Sequence, residues 1–121
     1  MKALLDEDFI VCGYYMKADN LISVILGAYL KSRIVYQSRV TMVISRKDYK
    51  VISSTSRLSK NQYLDFPDFD GAIWLEPKLV CCVQFMERTP GGGLRQPVFR
   101  GLRDDKMPNE CVIKEALNDS P

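Results

Sequence analysis

The chain contains no histidine. That absence removes Ser-His and Cys-His nucleophile pairs, imidazole general bases and every zinc site that needs an imidazole ligand. Cysteine is sparse. Cys12, Cys81, Cys82 and Cys111 show no C-x-x-C spacing, which argues against a metal cage, and so few irregular cysteines in 121 residues read as buried, reduced thiols rather than a disulfide framework. No stretch approaches the ~20 uninterrupted apolar residues of a membrane span. Asp6, Glu7 and Asp8 break the short apolar N-terminal segment, so no export signal is expected. A charge bias is lacking as well: 17 Lys and Arg against 15 Asp and Glu leave +2, with 46% apolar and 26% charged residues. Those proportions exclude disorder and fit one globular domain.

What is present is a dense series of strand-like runs. From Phe9 to Ile44 the chain is rich in Val, Ile, Tyr and Leu, broken at Lys17-Ala18-Asp19-Asn20 and around Lys31-Ser32. Three strands joined by tight turns are predicted near 8–16, 21–29 and 33–44. Gly13 and Gly27 fall inside two of them, as expected of bulges that curl a small sheet toward a barrel. Ser45 is a good N-cap for a short helix over Arg46–Ile52, with Tyr49 and Ile52 on its apolar side. Residues 53–71 form a long polar connection, the kind that in compact domains is functional or mobile. Two further strands are predicted at 78–88 and 94–102 around the turn Thr89-Pro90-Gly91-Gly92-Gly93, then a short helix over Asn109–Leu117 and a frayed end. Three strands, a helix and two strands is the element order of the OB-fold, a five-stranded, partly open Greek-key barrel that often binds nucleic acid. Periodicity alone leaves an SH3-like barrel or another small α+β sheet open.

The near-neutral total conceals segregated charge. Residues 31–60 hold eight basic side chains against Asp48 alone, residues 61–87 one against five acidic, and residues 88–106 five against two. If the third strand and the helix lie beside the last hairpin, the two basic stretches form one face able to neutralise phosphates.

The segment Ile73–Lys106, IWLEPKLVCCVQFMERTPGGGLRQPVFRGLRDDK, closely resembles the end of the C-terminal OB domain of ATP-dependent DNA ligases, particularly the bacterial end-joining type. In that family a Trp and a Pro precede the fourth strand, as Trp74 and Pro77 do here. A hairpin then leads to L-R-x-P-x-F-x-G-L-R-x-D-K, matched by Leu94–Lys106 and ending in the motif VI pattern Arg103-Asp104-Asp105-Lys106. Phe9–Tyr14 is similar to the first OB strand, so the resemblance spans about residues 8–106. It departs from the family at Cys82, where many relatives carry an acidic residue, and at Ser38–Ile44, which lacks their glycines. The K-x-D-G motif that receives AMP in the preceding nucleotidyltransferase domain is missing. Lys17-Ala18-Asp19-Asn20 imitates it, but Asn replaces Gly and the segment falls in a predicted hairpin turn.

The resemblance implies an OB-fold domain over 8–106. Residues 1–7 are then a linker or the remnant of a nucleotidyltransferase domain, with Lys2 compatible with its motif V, and residues 107–121 a C-terminal helix or tail. It assigns catalytic roles to Arg103 and Lys106, which would stabilise the departing pyrophosphate during enzyme adenylation, with Asp105 orienting them or a metal-bound water. Candidate contacts to the DNA backbone are Arg39, Arg46, Lys47, Lys50, Arg95 and Arg100. Trp74 and Phe99 read as barrel core or core edge rather than stacking platforms. The implied cofactors are ATP and Mg2+ in a full-length enzyme and none on the isolated domain, which is expected to be inactive alone. The implied partners are nicked duplex DNA and a nucleotidyltransferase domain in cis, for a monomeric, soluble, cytoplasmic protein without a membrane partner. A rival from another class is a stand-alone OB module that binds single-stranded nucleic acid, for which Tyr29 and Tyr36 are the evident stacking candidates. An RNA-capping nucleotidyltransferase OB domain shares the motif VI logic but fits the L-R-x-P-x-F-x-G-L-R hairpin less well.

Overall fold

A computed structural model describes residues 5–19, 21–30, 33–58, 63, 66, 71–88, 94–103 and 105–112. Strands β1 (Leu5–Ala18), β2 (Leu21–Leu30) and β3 (Arg33–Val43) form the expected meander, followed by α1 (Arg46–Ser53), a two-residue β4 (Ile73–Trp74), β5 (Val80–Phe85) and β6 (Val98–Arg103). The sheet is antiparallel, with strand order β3-β2-β1-β5-β6 and β4 added on β1. Strands β3 and β6 approach one another at the two ends of that order, so the sheet curls into a barrel.

Bulges supply the curl. The register places an extra residue at Cys12 and at Lys17 in β1, at Gln37 in β3 and at Arg100 in β6. A bulge bends its strand, increases its twist and reverses which side chains face inward from that point on. In β1, Phe9 and Val11 before the bulge and Tyr14 after it enter the barrel core, with Ile22, Val24, Leu26, Val40, Val83 and Phe85. Ile10 and Cys12 face outward, into a second apolar cluster with Ile25, Phe66, Val80 and Cys111. Two glycines permit the close approaches this requires. A Cβ on Gly13 would stand 2.8 Å from the Ile73 carbonyl oxygen, and one on Gly27 2.7 Å from Cys12 Sγ and 2.8 Å from Ile34 Cγ2.

The helix begins where its cap predicts: Ser45 Oγ accepts a hydrogen bond from the Asp48 amide at 3.2 Å. Ile52 is fully buried in the barrel core, and Tyr49 packs edge-on against Tyr14 at 6.3 Å between ring centres. Phe99 lies at the edge of the barrel core, as the sequence suggests, whereas Trp74 packs outside it, at the edge of the second cluster against Tyr63 and Phe66. The four cysteines are unpaired, and burial pushes the Cys111 thiol up to about 11.

Several boundaries differ from the sequence reading. β1 begins at Leu5, because Leu5, Asp6 and Glu7 pair with Phe85, Gln84 and Val83. The strand expected over 78–88 ends at Phe85, and the return strand starts at Val98 rather than Leu94, although Arg88 and Leu94 form an isolated bridge. The turn at 89–93 lies outside the described residues. In place of a helix from Asn109, the described part shows a single 3-10 turn at Pro108–Glu110. The chain then pairs with β2: the Tyr29 amide donates to the Cys111 carbonyl at 2.7 Å, and Val112 bridges Tyr29. Burying Cys111 and satisfying that amide outweigh helix continuation. Residues 113–117 of the expected helix lie outside the described residues. Among the described residues, no helix is long and apolar enough to cross a membrane.

One end of the barrel is closed by polar groups. Arg88 donates from Nη2 to Glu7 Oε1 at 2.6 Å and from Nη1 to Gln37 Oε1 at 2.7 Å, while its guanidinium lies 5.8 and 5.6 Å from the ring centres of Phe9 and Phe85. The ion pair is largely buried, at 14% and 13% side-chain exposure. Removing one partner of such a pair leaves an uncompensated charge in a poorly solvated place. Arg88→Met is therefore expected to lower the unfolding free energy by about 3 kcal/mol in urea titration. Adding Glu7→Gln should recover much of that loss by removing the orphaned charge.

Candidate functional site

The last strand delivers the motif VI residues. The bulge at Arg100 and the left-handed backbone of Gly101 (φ 146°) turn the end of β6 so that Leu102 packs on the barrel core while Arg103 crosses β5 toward β1. There Arg103 is held from two sides. Its Nε and Nη2 donate to Asp105 Oδ1 and Oδ2 at 3.1 and 2.8 Å, a two-pronged fork. Its Nη1 donates to Asp8 of β1, at 3.3 Å to Oδ1 and 3.5 Å to Oδ2. Lys106 Nζ lies 3.8 Å from the same carboxylate. A guanidinium carries five N–H donors, so some remain for an incoming anion.

Electrostatics follow from this geometry. The hydrogen bond from Arg103 holds the Asp105 carboxyl below its ordinary range, and Asp105 first, then Asp8, hold Arg103 firmly protonated. Burial raises the Cys82 thiol, and the nearby carboxylate of Asp8 raises it further. Arg103 and Lys106 keep about a third of their side-chain surface exposed, at 35% and 36%.

Both cations border an open groove of about 720 Å³ between α1, the turn before β5 and the segment after β6. Lys47 and Lys78 stand on it with Arg103 and Lys106, and Val51, Leu102 and Met107 supply apolar wall. Four cations and Asp48 line the groove, with Arg103 and Lys106 paired to Asp8 and Asp105 and Lys78 to Glu76 at 3.5 Å, so the basic groups face the groove with carboxylates beside them. Among the described residues, no group of three His, Cys, Asp or Glu side chains is placed to hold a metal.

The structure brings some of the sequence-derived candidates together and separates others. Lys47 joins Arg103 and Lys106 at the groove, so the two basic stretches meet there. Arg46 and Lys50 are exposed on the same helix, and Arg100 is exposed on β6. Arg39 lies elsewhere, donating to the Tyr15 hydroxyl at 3.0 Å beside the second apolar cluster. Arg95 is tied to Glu87 at 3.1 Å. Of the two tyrosines named for base stacking, Tyr36 packs edge-on against Phe66 at 5.5 Å and Tyr29 lies at the edge of the same cluster. Asp8 and Lys78 escaped the sequence reading. Asp8 was visible only as one of three acids interrupting an apolar stretch, since its partners come from the far end of the chain.

The family profile described as the ATP dependent DNA ligase C terminal region matches residues 17–106. The multifunctional non-homologous end joining protein LigD of Mycolicibacterium smegmatis is 51% identical over 45 residues, covering 37% of this chain and 6% of that protein. LigD of Pseudomonas aeruginosa is 38% identical over 48 residues, covering 40% of this chain and 6% of that protein. Among solved structures, the ligase domain from Mycobacterium tuberculosis LigD superimposes with a TM-score of 0.77 at 24% identity, covering 91% of this chain and 39% of that one. A mycobacterial DNA ligase D complexed with ATP and MES gives 0.76 at 27% identity, over 89% and 37%. The first likeness carries the fold: the barrel is an OB-fold. The chain spans only a small part of the curated relatives it matches.

The fork between Arg103 and Asp105 has a pH signature. Because the folded-state pKa of Asp105 is depressed, its pairing contributes at neutral pH and is lost only as pH falls through that lowered value. The Asp105 carboxyl carbon, followed by NMR, is expected to titrate with a midpoint below the ordinary 3.8. In Arg103→Gln the midpoint should move back toward that value.

Proposed function

The chain belongs to the family of ATP-dependent DNA ligase C-terminal regions, and from that premise we propose that its OB-fold domain assists adenylation of a ligase and then helps to clamp nicked duplex DNA during strand sealing in repair. The observation that supports this most directly is the placing of Arg103 and Lys106 side by side on the rim of a cationic groove. ATP supplies the AMP that is transferred and the pyrophosphate that leaves. Arg103 offers a planar pair of donors to the leaving anion, Lys106 a compact charge, and Asp105 fixes the guanidinium plane through its fork. Donors placed before the reaction, where negative charge develops, stabilise the transition state without reorganising. The nucleophilic lysine and the base of the nucleotide pocket belong to a nucleotidyltransferase domain, so this chain alone is expected neither to form an AMP adduct nor to seal a nick. Mg2+ belongs to that composite site as well.

In a ligase in which this chain follows a nucleotidyltransferase domain, Arg103→Ala and Lys106→Ala are each expected to slow self-adenylation by about a hundredfold, the usual effect of losing one such donor. Sealing of DNA that already carries a 5′-adenylate should be far less affected, because no pyrophosphate leaves in that step. The thermal midpoint of the domain should hardly change in Lys106→Ala, whose contact with Asp8 is long at 3.8 Å, and fall modestly in Arg103→Ala, which leaves the partly buried Asp8 with Lys106 alone. Adenylation at the parental rate in both variants would remove the proposed role of motif VI.

DNA binding by the domain alone is expected to be weak. A face with about three to six phosphate contacts should bind duplex at micromolar affinity or poorer, without sequence preference, and lose affinity steeply with salt. Fluorescence anisotropy at two salt concentrations measures both properties. A strong preference for single strands, abolished by Tyr29→Ala or Tyr36→Ala, would instead identify a stand-alone single-strand binding module.

A further inference from the structure

We propose that Asp8 is a positioning residue for adenylation, aligning Arg103 and Lys106 as one two-cation clamp for the polyphosphate. The inference rests on the function proposed above for those two side chains. Arg103 ends β6 and Lys106 follows in the bend after it, two like charges that repel one another on a short piece of chain. What they share is Asp8, whose Oδ1 and Oδ2 take Arg103 at 3.3 and 3.5 Å and whose Oδ2 takes Lys106 at 3.8 Å.

Asp8 is suited to serve as a fixed reference. It lies inside the β1–β5 ladder, opposite Cys82 and flanked by paired residues on both sides, and its side chain is only 19% exposed. Asp105 is the other acid on Arg103, but it adjoins Lys106 on the bend after β6, outside any ladder and with 64% of its side chain exposed. The fork to Asp105 thus sets the rotation of the guanidinium plane, and Asp8 ties both cations to the sheet. A charge that aligns cations also opposes anion binding. Removing it should therefore leave binding of the nucleotide intact or slightly tighter while the geometry at the moment of reaction is lost.

This predicts a separation of kinetic constants. In the fused ligase described above, Asp8→Asn, which keeps the shape and an acceptor oxygen, is expected to lower the rate of self-adenylation at saturating ATP by about tenfold, as small misplacements of catalytic groups do. KM for ATP should not rise, and sealing of pre-adenylated nicks should stay near the parental rate. A loss of packing alone would instead reduce both steps in parallel with the thermal midpoint. Where Asp8→Asn fails to fold, Asp8→Ser is read in its place. If neither uncharged variant folds, Asp8 is a folding residue and the inference is overturned. It is overturned equally if a folded variant adenylates at the parental rate, or if its defect lies wholly in KM. Arg103→Ala serves as the reference: when that variant is slow and Asp8→Asn is not, the positioning role falls while the role of motif VI stands, and when Arg103→Ala is itself at the parental rate, the function proposed for the site falls first.

Discussion

Strand β1 has to satisfy two ladders and two apolar clusters at once. Its first half pairs with β5, its second half with β2 and β4, and the extra residue at Cys12 between them reverses the facing of its side chains. Without that reversal, either Phe9 and Val11 or Tyr14 would face away from the barrel core. The glycine at position 13 makes the reversal sterically possible, since the Ile73 carbonyl occupies the space a side chain would need. Curl, closure toward β6 and the docking of α1 against Tyr14 all follow from that one strand.

Period-two alternation along β1 also divides its charges. Glu7 points into the barrel and meets Arg88 and Gln37 at the end lined by Phe9 and Phe85. Asp8 points outward and meets Arg103 and Lys106. Adjacent carboxylates thereby take on different physical roles. The buried pair is costly to break because its desolvation is offset only by the partner. The outer cluster is only partly solvated, with Asp8 19% and Arg103 35% exposed, and Arg103 is shared between Asp8 and the exposed Asp105.

The groove shows how a nearly neutral protein gathers basic side chains on one surface. Lys47 comes from the helix, Lys78 from the turn before β5, and Arg103 and Lys106 from the end of the last strand. Each is set by a local device: the Ser45 cap starts the helix beside the barrel, and the bulge at Arg100 with Gly101 aims the strand end. Cations clustered in a cleft shape the local field in a way that the net charge of the whole chain does not show.

Much of this was legible in the residues themselves. Alternating apolar runs, the interrupting glycines and the Ser45 cap specify three curled strands and a helix, because period, bend and cap are local properties of the chain. The L-R-x-P-x-F-x-G-L-R-x-D-K hairpin identifies the ligase family for the same reason, since it is one contiguous element. Tertiary structure decided what those elements meet. Arg103 finds Asp8 across 95 positions, Arg88 finds Glu7 across 81 and Gln37 across 51. A strand's pattern states which face a side chain takes but not which strand lies alongside, and the extra residues at Cys12, Gln37 and Arg100 change even the face partway along. The same holds for Asn109–Val112, whose helical signal gave way to a β2 amide and a buried cysteine that only the folded barrel could offer.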